Sequence, residues 1–336
     1  MTPLPPPPPP TTSAPAAPAA DAPTIPGVGT NDLLTIDDLS PDEVRSIFDL
    51  TAEMKRDLSP YVGVLAGKVV VLLFEKDSLR TKISFEAGVA RLGGHAIYHN
   101  HMDCRIGERE SVADYGKNLE RLTDCIIARV FGHDVLEELA AASSVPVINA
   151  LSDRFHPCQG LTDLFTLREK LGTLDAASIA YVGDANNVCN SLIVAGAKLG
   201  VDVTVISPAG YGPADSILSL HRSLARASGS TLTLTADLEA VQGSSAVYTD
   251  AWVSMGYEAE AARRHVAFAG YSVTDTLMDL AGPDALFMHC LPAHRGFEVA
   301  PEVLDGPRSI AFDQAENRMH VQNALLLHLL APTAAG

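Results

Sequence analysis

Strand-length apolar runs alternate with segments of helical period along almost the whole chain, and few folds accommodate such a series. The first set of runs spans 68–74, 95–98, 125–130 and 146–151, separated by helical patterns at 79–92, 111–122 and 133–142 and followed by one at 158–171. A second set follows: strands at 178–182, 201–206, 231–235, 246–249 and 285–289, with helices at 187–199, 215–227 and, briefly, 238–242. A βαβα series of this kind predicts parallel sheets covered on both faces. The chain is therefore read as α/β, two doubly wound parallel-sheet domains joined by helices. A further strand is expected at 310–312 and a long closing helix at 316–331. Ser40-Pro41-Asp42-Glu43 marks a helix start, with a hydroxyl cap, proline at the first helical position and glutamate at the third.

The boundaries follow from composition. Residues 1–32 are Pro/Ala/Thr-rich, with six prolines in a row from Pro5 to Pro10. Such a segment buries too little apolar surface to fold and is expected to be disordered. It is read as a passive extension; the alternative is a ligand for a proline-recognition domain. The two halves are placed at 33–152, completed by the closing helix, and 153–315. A net charge of −17 argues against nucleic acid and against an anionic membrane surface as partners. Any anionic substrate must be held by a local basic pocket. The five cysteines are scattered and none forms a CxxC pair, which predicts a reducing, cytoplasmic setting. No apolar run reaches transmembrane length. No GxGxxG follows a strand, so a nicotinamide cofactor is rejected.

Ligands in sheets of this class sit beyond the carboxyl ends of the strands, and the unusual residues of this chain fall there. At 68–94 an apolar strand gives way to Ser78-Leu79-Arg80-Thr81, where Leu79, Ile83, Ala87 and Ala90 begin a helical stripe expected to face the core. Free N–H groups at a helix start, two hydroxyls and a guanidinium suit a phosphate. Arg129 ends the next strand but one, and His156-Pro157-Cys158-Gln159 follows 146–151. In the second half, Asn187 follows 178–182, Asp250 to Met255 follows 246–249, and Cys290-Leu291 follows 285–289. The first half thus contributes cations and hydroxyls, and the second an amide, a carboxylate, a hydroxyl and a thiol. One half looks built for a phosphate and the other for an amino acid.

FEKDSLRT, HPCQ, GDANNVCNS, DAWVSMG, HCLPAHRG and AENR together resemble the carbamoyltransferases, and the ornithine branch in particular through DAWVSMG. The resemblance runs from about residue 33 to 331. It implies transfer of a carbamoyl group from carbamoyl phosphate to the δ-amine of L-ornithine, within arginine metabolism, with no metal and no cofactor. Ser78, Leu79 (through its backbone), Arg80 and Thr81 would bind the phosphate. Arg129, His156 and Gln159 would hold the carbamoyl carbonyl and phosphate oxygens, with Arg318 closing on that side and Cys290 and Leu291 near the reacting amine. Leu151, Asn187, Asp250, Ser254 and Met255 would bind ornithine. Cys290, coupled to Asp250, would accept or relay the proton that the δ-ammonium must lose, since an alkyl ammonium titrates near ~10.

The resemblance also implies a homotrimer whose sites are completed by a neighbouring loop, here 99–111. The chain departs from the family pattern at Arg105, where glutamine is usual, and more mildly at Leu79 and Lys82. Arg105 is expected to meet the phosphate from the adjacent subunit. His99, His101 and Asp103 alternate, but their spacing is not that of a zinc site, and they are read as part of a polar, subunit-facing loop. Two other readings stand beside this one. The acceptor could be another amine, such as putrescine or an N-acylated ornithine, or the chain could be a non-enzymatic relative that docks through its proline tail.

Overall fold

The computed structural model describes residues 23–253 and 258–333. Its first half runs α1 (Pro41–Arg56), β1 (Val69–Phe74), α2 (Leu79–Arg91), β2 (His95–Asn100), α3 (Val112–Leu119), β3 (Cys125–Arg129), α4 (His133–Ala142), β4 (Val147–Leu151) and α5 (Pro157–Leu171). The second runs β5 (Ser178–Val182), α6 (Asn187–Leu199), β6 (Asp202–Ile206), α7 (Asp215–Ser228), β7 (Leu232–Thr235) and β8 (Ala246–Thr249). It continues through α8 (Ala261–Ala267), α9 (Asp275–Ala281), β9 (Leu286–His289), α10 (Pro301–Leu304) and α11 (Ala311–Leu330). All named strands pair in parallel.

The sheets have the orders β2-β1-β3-β4 and β7-β6-β5-β8-β9. Each is doubly wound: the chain leaves a central strand in one direction, then returns to build on its other side. The direction reverses between β1 and β3 in the first sheet and between β5 and β8 in the second. At such a reversal the flanking connections leave on opposite faces, and a crevice opens beyond the carboxyl ends. β3 and β8 are buried along their full length, which explains why their sequences read as unbroken apolar runs.

The two halves are held together by helices rather than by shared strands. Gly160 lies where α5 meets α6, and a β-carbon there would come within 3.1 Å of the Ser191 β-carbon and carbonyl oxygen. Only a residue without a side chain allows that approach. α11 then folds back against α1, α2 and α5 of the first half.

Several sequence expectations are corrected. The α2 stripe does not face the core: Leu79 is 73% and Ile83 51% exposed, while Thr81, Ser84, Phe85, Gly88 and Val89 form the buried side. Order begins before residue 33, because Ile25 is buried and its backbone pairs with Thr333. Residues 310–312 are not a strand. Ile310 N–H does donate to Phe287 of β9 (2.9 Å), but Ala311 already opens α11, five residues ahead of the expected start. The 238–242 segment is one turn of 3₁₀ helix, and α8, α9 and α10 were not expected.

Candidate active site

The β1–α2 turn forms one wall of the crevice. Ser78 caps α2 by accepting from the Thr81 N–H (3.3 Å), and its hydroxyl lies 2.9 Å from that of Thr81. Thr81 also accepts from the Arg318 guanidinium at 2.9 Å. Arg318 is carried by α11, so the last helix of the chain reaches back to the first βα turn. Arg129, the last residue of β3, is buried nearby. His156 precedes α5, with its backbone N–H donated to Ser191 of α6 at 2.7 Å.

The charges of this lobe oppose one another. Burial, then Arg318 and Arg80, bring Arg129 down from 12.5 to about 9. Burial also depresses Arg80 and Arg318. Lys76 is lowered by burial and then by Arg129. Burial holds His156 well below its ordinary value, with Arg318 and Arg129 adding to the effect, so its imidazole is neutral. Arg129 Nε, Arg318 Nε, His156 Nδ1 and Gln159 Oε1 are buried without a hydrogen-bond partner among the described residues. Buried polar atoms are normally paired. The two guanidinium orphans, on mutually repelling cations with the His156 ring beside them, describe a receptor for an anion, while the Gln159 oxygen is free to accept.

The opposite wall belongs to the second sheet. Asp250, just beyond β8, accepts from Asn186 Nδ2 (2.7 Å), from the Ala251 N–H (2.7 Å) and from the Cys290 thiol (3.0 Å). Burial raises the Cys290 thiol well above its ordinary value, and Asp250 raises it further. Asn187 donates to the Ser152 carbonyl at 2.5 Å. Leu291 adopts φ 59° and is followed by a cis peptide to Pro292. The Leu291 N–H donates to His289 Nδ1 (2.8 Å), and His289 Nε2 faces buried Glu298 at 3.3 Å. His289 lies with Asp250 and Cys290 in a cluster whose donor atoms are within 4.8 Å of one another. Both of its ring nitrogens are committed to these protein partners, however, leaving none for a metal.

These walls enclose a cavity of about 260 Å³. Of the residues singled out in the sequence, Ser78, Arg80, Thr81, Arg129, Leu151, His156, Gln159, Asn187, Asp250, Cys290, Leu291 and Arg318 line it. Ser254 and Met255 lie outside the described residues. The Leu79 side chain points to solvent. Arg105 does not line the cavity; its guanidinium lies 4.1 Å from the centre of the Phe131 ring, which the cavity-lining Lys76 also approaches at 4.3 Å. His101 has its two ring nitrogens facing the Cys104 carbonyl (3.0 Å) and the Tyr115 hydroxyl (2.7 Å), and stacks on His99. Lys76, Val188, Ala251, Val253, Pro292 and His294 also line the cavity and were not picked out. Lys76 stands two residues before Ser78, and its acidic neighbours Glu75 and Asp77 disguised it as ordinary loop charge.

A doubly wound two-sheet fold, with an anion receptor on one sheet and a carboxylate–thiol pair on the other, suits an enzyme that transfers a group from a phosphorylated substrate to an amino compound. The aspartate/ornithine carbamoyltransferase carbamoyl-P binding domain matches residues 31–169, and the Asp/Orn binding domain of the same family matches 175–329. The chain belongs to the aspartate/ornithine carbamoyltransferase family. It is 45% identical over 301 residues to the ornithine carbamoyltransferase of Bacillus subtilis, covering 89% of this chain and 93% of that one. It is 46% identical over 305 residues to that of Halalkalibacterium halodurans, covering 89% and 95%. Among solved structures, the ornithine carbamoyltransferase of Pyrococcus furiosus superposes with a TM-score of 0.87 at 43% identity, covering 90% of this chain and 98% of that one.

Proposed function

We infer that the chain is an enzyme that transfers the carbamoyl group of carbamoyl phosphate to the δ-amine of L-ornithine, releasing L-citrulline and phosphate. One observation carries the reading: Arg80, Arg129 and Arg318 share a single cavity with the Asp250–Cys290 pair. The cations provide for a phosphate leaving group, and the pair for an amine that must lose a proton.

In this proposal Ser78, Thr81, Arg80 and Arg318 bind the phosphate, with the Leu79 backbone at the helix start. Arg129 and neutral His156 act on the carbamoyl carbonyl. A guanidinium aimed at that oxygen stabilises the charge of the tetrahedral intermediate, a contribution of typically ~3 kcal/mol for one donor. Leu151, Asn187, Ser254 and Met255 hold ornithine, and Asp250 takes its α-ammonium. The thiol of Cys290 is protonated at neutral pH. It therefore serves as a relay, taking the δ-amine proton as it gives its own to Asp250, rather than as a pre-formed thiolate base. Holding both substrates in one cavity supplies much of the remaining acceleration.

Residues 33–152 with α11 form the carbamoyl phosphate half in this reading, and 153–315 the ornithine half, which counts α5 with the second sheet although it packs against both β4 and α6. A homotrimer is proposed in which Arg105 enters a neighbour's site. Its support is a set of large apolar side chains left exposed among the described residues: Leu79 and Ile83 on α2, Ile97 on the edge strand β2, and Met102 just after it. No helix among the described residues is long and apolar enough to cross a membrane. All five cysteines are unpaired, which supports a reducing compartment such as the cytoplasm.

A steady-state assay with carbamoyl phosphate tests the reading. Citrulline should form with L-ornithine at a kcat/KM at least ~100-fold above the rate constant with putrescine or N-acetylornithine, because neither offers Asp250 an α-ammonium beside a free carboxylate. Equal turnover of putrescine would replace ornithine as the acceptor. No transfer to any amine would overturn the enzyme reading.

A further inference from the structure

Asn186 is the N-cap of α6 and does not line the cavity, yet it is bonded to Asp250, which does. Its Oδ1 accepts from the backbone N–H groups of Val188 (2.9 Å) and Cys189 (3.2 Å), and the Tyr181 hydroxyl lies 3.4 Å from the same oxygen. Its Nδ2 donates to Asp250 Oδ2 at 2.7 Å. The other oxygen of Asp250, Oδ1, takes the Ala251 N–H (2.7 Å) and the Cys290 thiol (3.0 Å).

The helix start fixes the direction of these bonds. A backbone N–H can only donate, so Val188 and Cys189 turn the Asn186 oxygen to α6 and its NH₂ to Asp250. Asp250 Oδ2 is thereby anchored as an acceptor. With one oxygen anchored, the carboxylate cannot swing about its Cβ–Cγ bond and carry Oδ1 away from Cys290. Capping alone does not call for asparagine at this place, because asparagine, aspartate and serine cap helices about equally well. Among these three, only asparagine can give its oxygen to the helix and still offer an N–H to a neighbouring carboxylate.

We propose that Asn186 is a positioning residue that anchors Asp250 Oδ2 to the start of α6, so that Oδ1 stays turned to the Cys290 thiol while ornithine is bound and deprotonated. The proposal rests on the ornithine carbamoyltransferase reading and adds to it a residue that touches neither substrate. Its consequence is that the helix α6, through its first turn, sets the orientation of the carboxylate in the ornithine half of the site.

Variants that keep the cap isolate the bond to Asp250. Asn186→Ser retains a capping hydroxyl but is too short to reach Asp250 as well. Asn186→Asp retains a capping carboxylate but sets an acceptor against an acceptor. Steady-state kinetics should show kcat/KM for ornithine lowered about tenfold in Asn186→Ser and about 100-fold in Asn186→Asp, the range for a hydrogen bond to a charged group. The KM for carbamoyl phosphate should change by less than about threefold in both. In an Asp250→Asn background, adding Asn186→Asp should cost less than about threefold further, because the two positions act as one unit. A parent-like kcat/KM for ornithine in folded Asn186→Asp would mean that Asn186 only caps α6, and that overturns the proposal. A cost of Asn186→Asp that is as large in the Asp250→Asn background, or a parallel rise in the KM for carbamoyl phosphate, overturns it too. Where Asn186→Asp does not fold, Asn186→Ser decides in the same two backgrounds: a loss in the first and none in the second supports the proposal, and any other pairing refutes it. Failure of the functional reading is distinct, since the unaltered enzyme would then form no citrulline.

Discussion

Replacing Arg318 with methionine should make the unliganded protein more stable while removing its response to phosphate. Arg318 is buried, and so is Arg129, which is driven from 12.5 to about 9 by burial, by Arg318 and by Arg80. A displacement of that size corresponds to about 5 kcal/mol against the charged form. Burial is the leading cause and repulsion from Arg318 the next, so removing Arg318 relieves part of this cost. Arg318→Met also ends the desolvation cost of its own charge, since methionine fills much the same volume. Against this stands the hydrogen bond to Thr81, worth about 1 kcal/mol. The net expectation is a gain of about 1–2 kcal/mol, or roughly 1–3 °C in Tm for a protein of this size. Phosphate at 100 times its Kd stabilises the parent by about 2.7 kcal/mol. If losing Arg318 weakens phosphate about 100-fold, the same concentration stabilises the variant by only about 0.4 kcal/mol. Thermal unfolding of both proteins with and without inorganic phosphate measures all four values. A variant that melts below the parent without phosphate, yet gains as much from it, would show that the cations are not held in mutual opposition for an anion.

Three further outcomes are expected. Phosphate, assayed as a competitive inhibitor, should progressively lose affinity above about pH 9, where it is already the dianion, because protonated Arg129 adds its charge to the wall that holds it and that proton leaves the free protein near 9; a Ki that stays level from about pH 8 to about pH 10 would contradict this. Asp250→Asn should raise the KM for ornithine about 100-fold, the loss of a charge-assisted hydrogen bond, with the KM for carbamoyl phosphate changed by less than about threefold; parallel changes in both constants would point to general disruption instead. Cys290→Ala should lower kcat by about 100-fold at neutral pH, as expected for removal of a proton relay, and full turnover in that variant would remove Cys290 from the chemistry.

The inner strands β1, β3, β5 and β8 were legible because both of their faces are buried, so each is a largely apolar run bounded by polar turns. Helices that present an apolar stripe to a sheet were legible for the same reason. α2 was misjudged because Phe85 and Val89 share its inner face with the polar or small Thr81, Ser84 and Gly88, and a β-carbon on Gly88 would lie 2.0 Å from Asn323 Oδ1 of α11. A contact that close excludes large apolar side chains, and the visible stripe, Leu79 and Ile83, is the one left outside. α8, α9 and α10 are no longer than two turns, too short for a period to register. At the site, residues that face a ligand fell into compact motifs after strands. Those that hold them did not. Asp163, which accepts from Gln159, is 85 positions from Tyr248 and 151 from Gln314, and Asn186 is 64 from Asp250. Only the folded chain brings such partners together, and an isolated glutamine or tyrosine carries no sign of its task.

The bond from Arg318 to Thr81 spans 237 positions, and it bears on how the protein comes into being during synthesis. Both sheets, the β1–α2 turn, His156 and the Asp250–Cys290 pair are all translated before α11 begins. A growing chain can therefore assemble nearly every element of the crevice and still lack the guanidinium that closes it. If Arg318 binds the phosphate as proposed, substrate capture waits until the final helix has emerged and docked against α1, α2 and α5, and a chain cut short before α11 would not compete for carbamoyl phosphate.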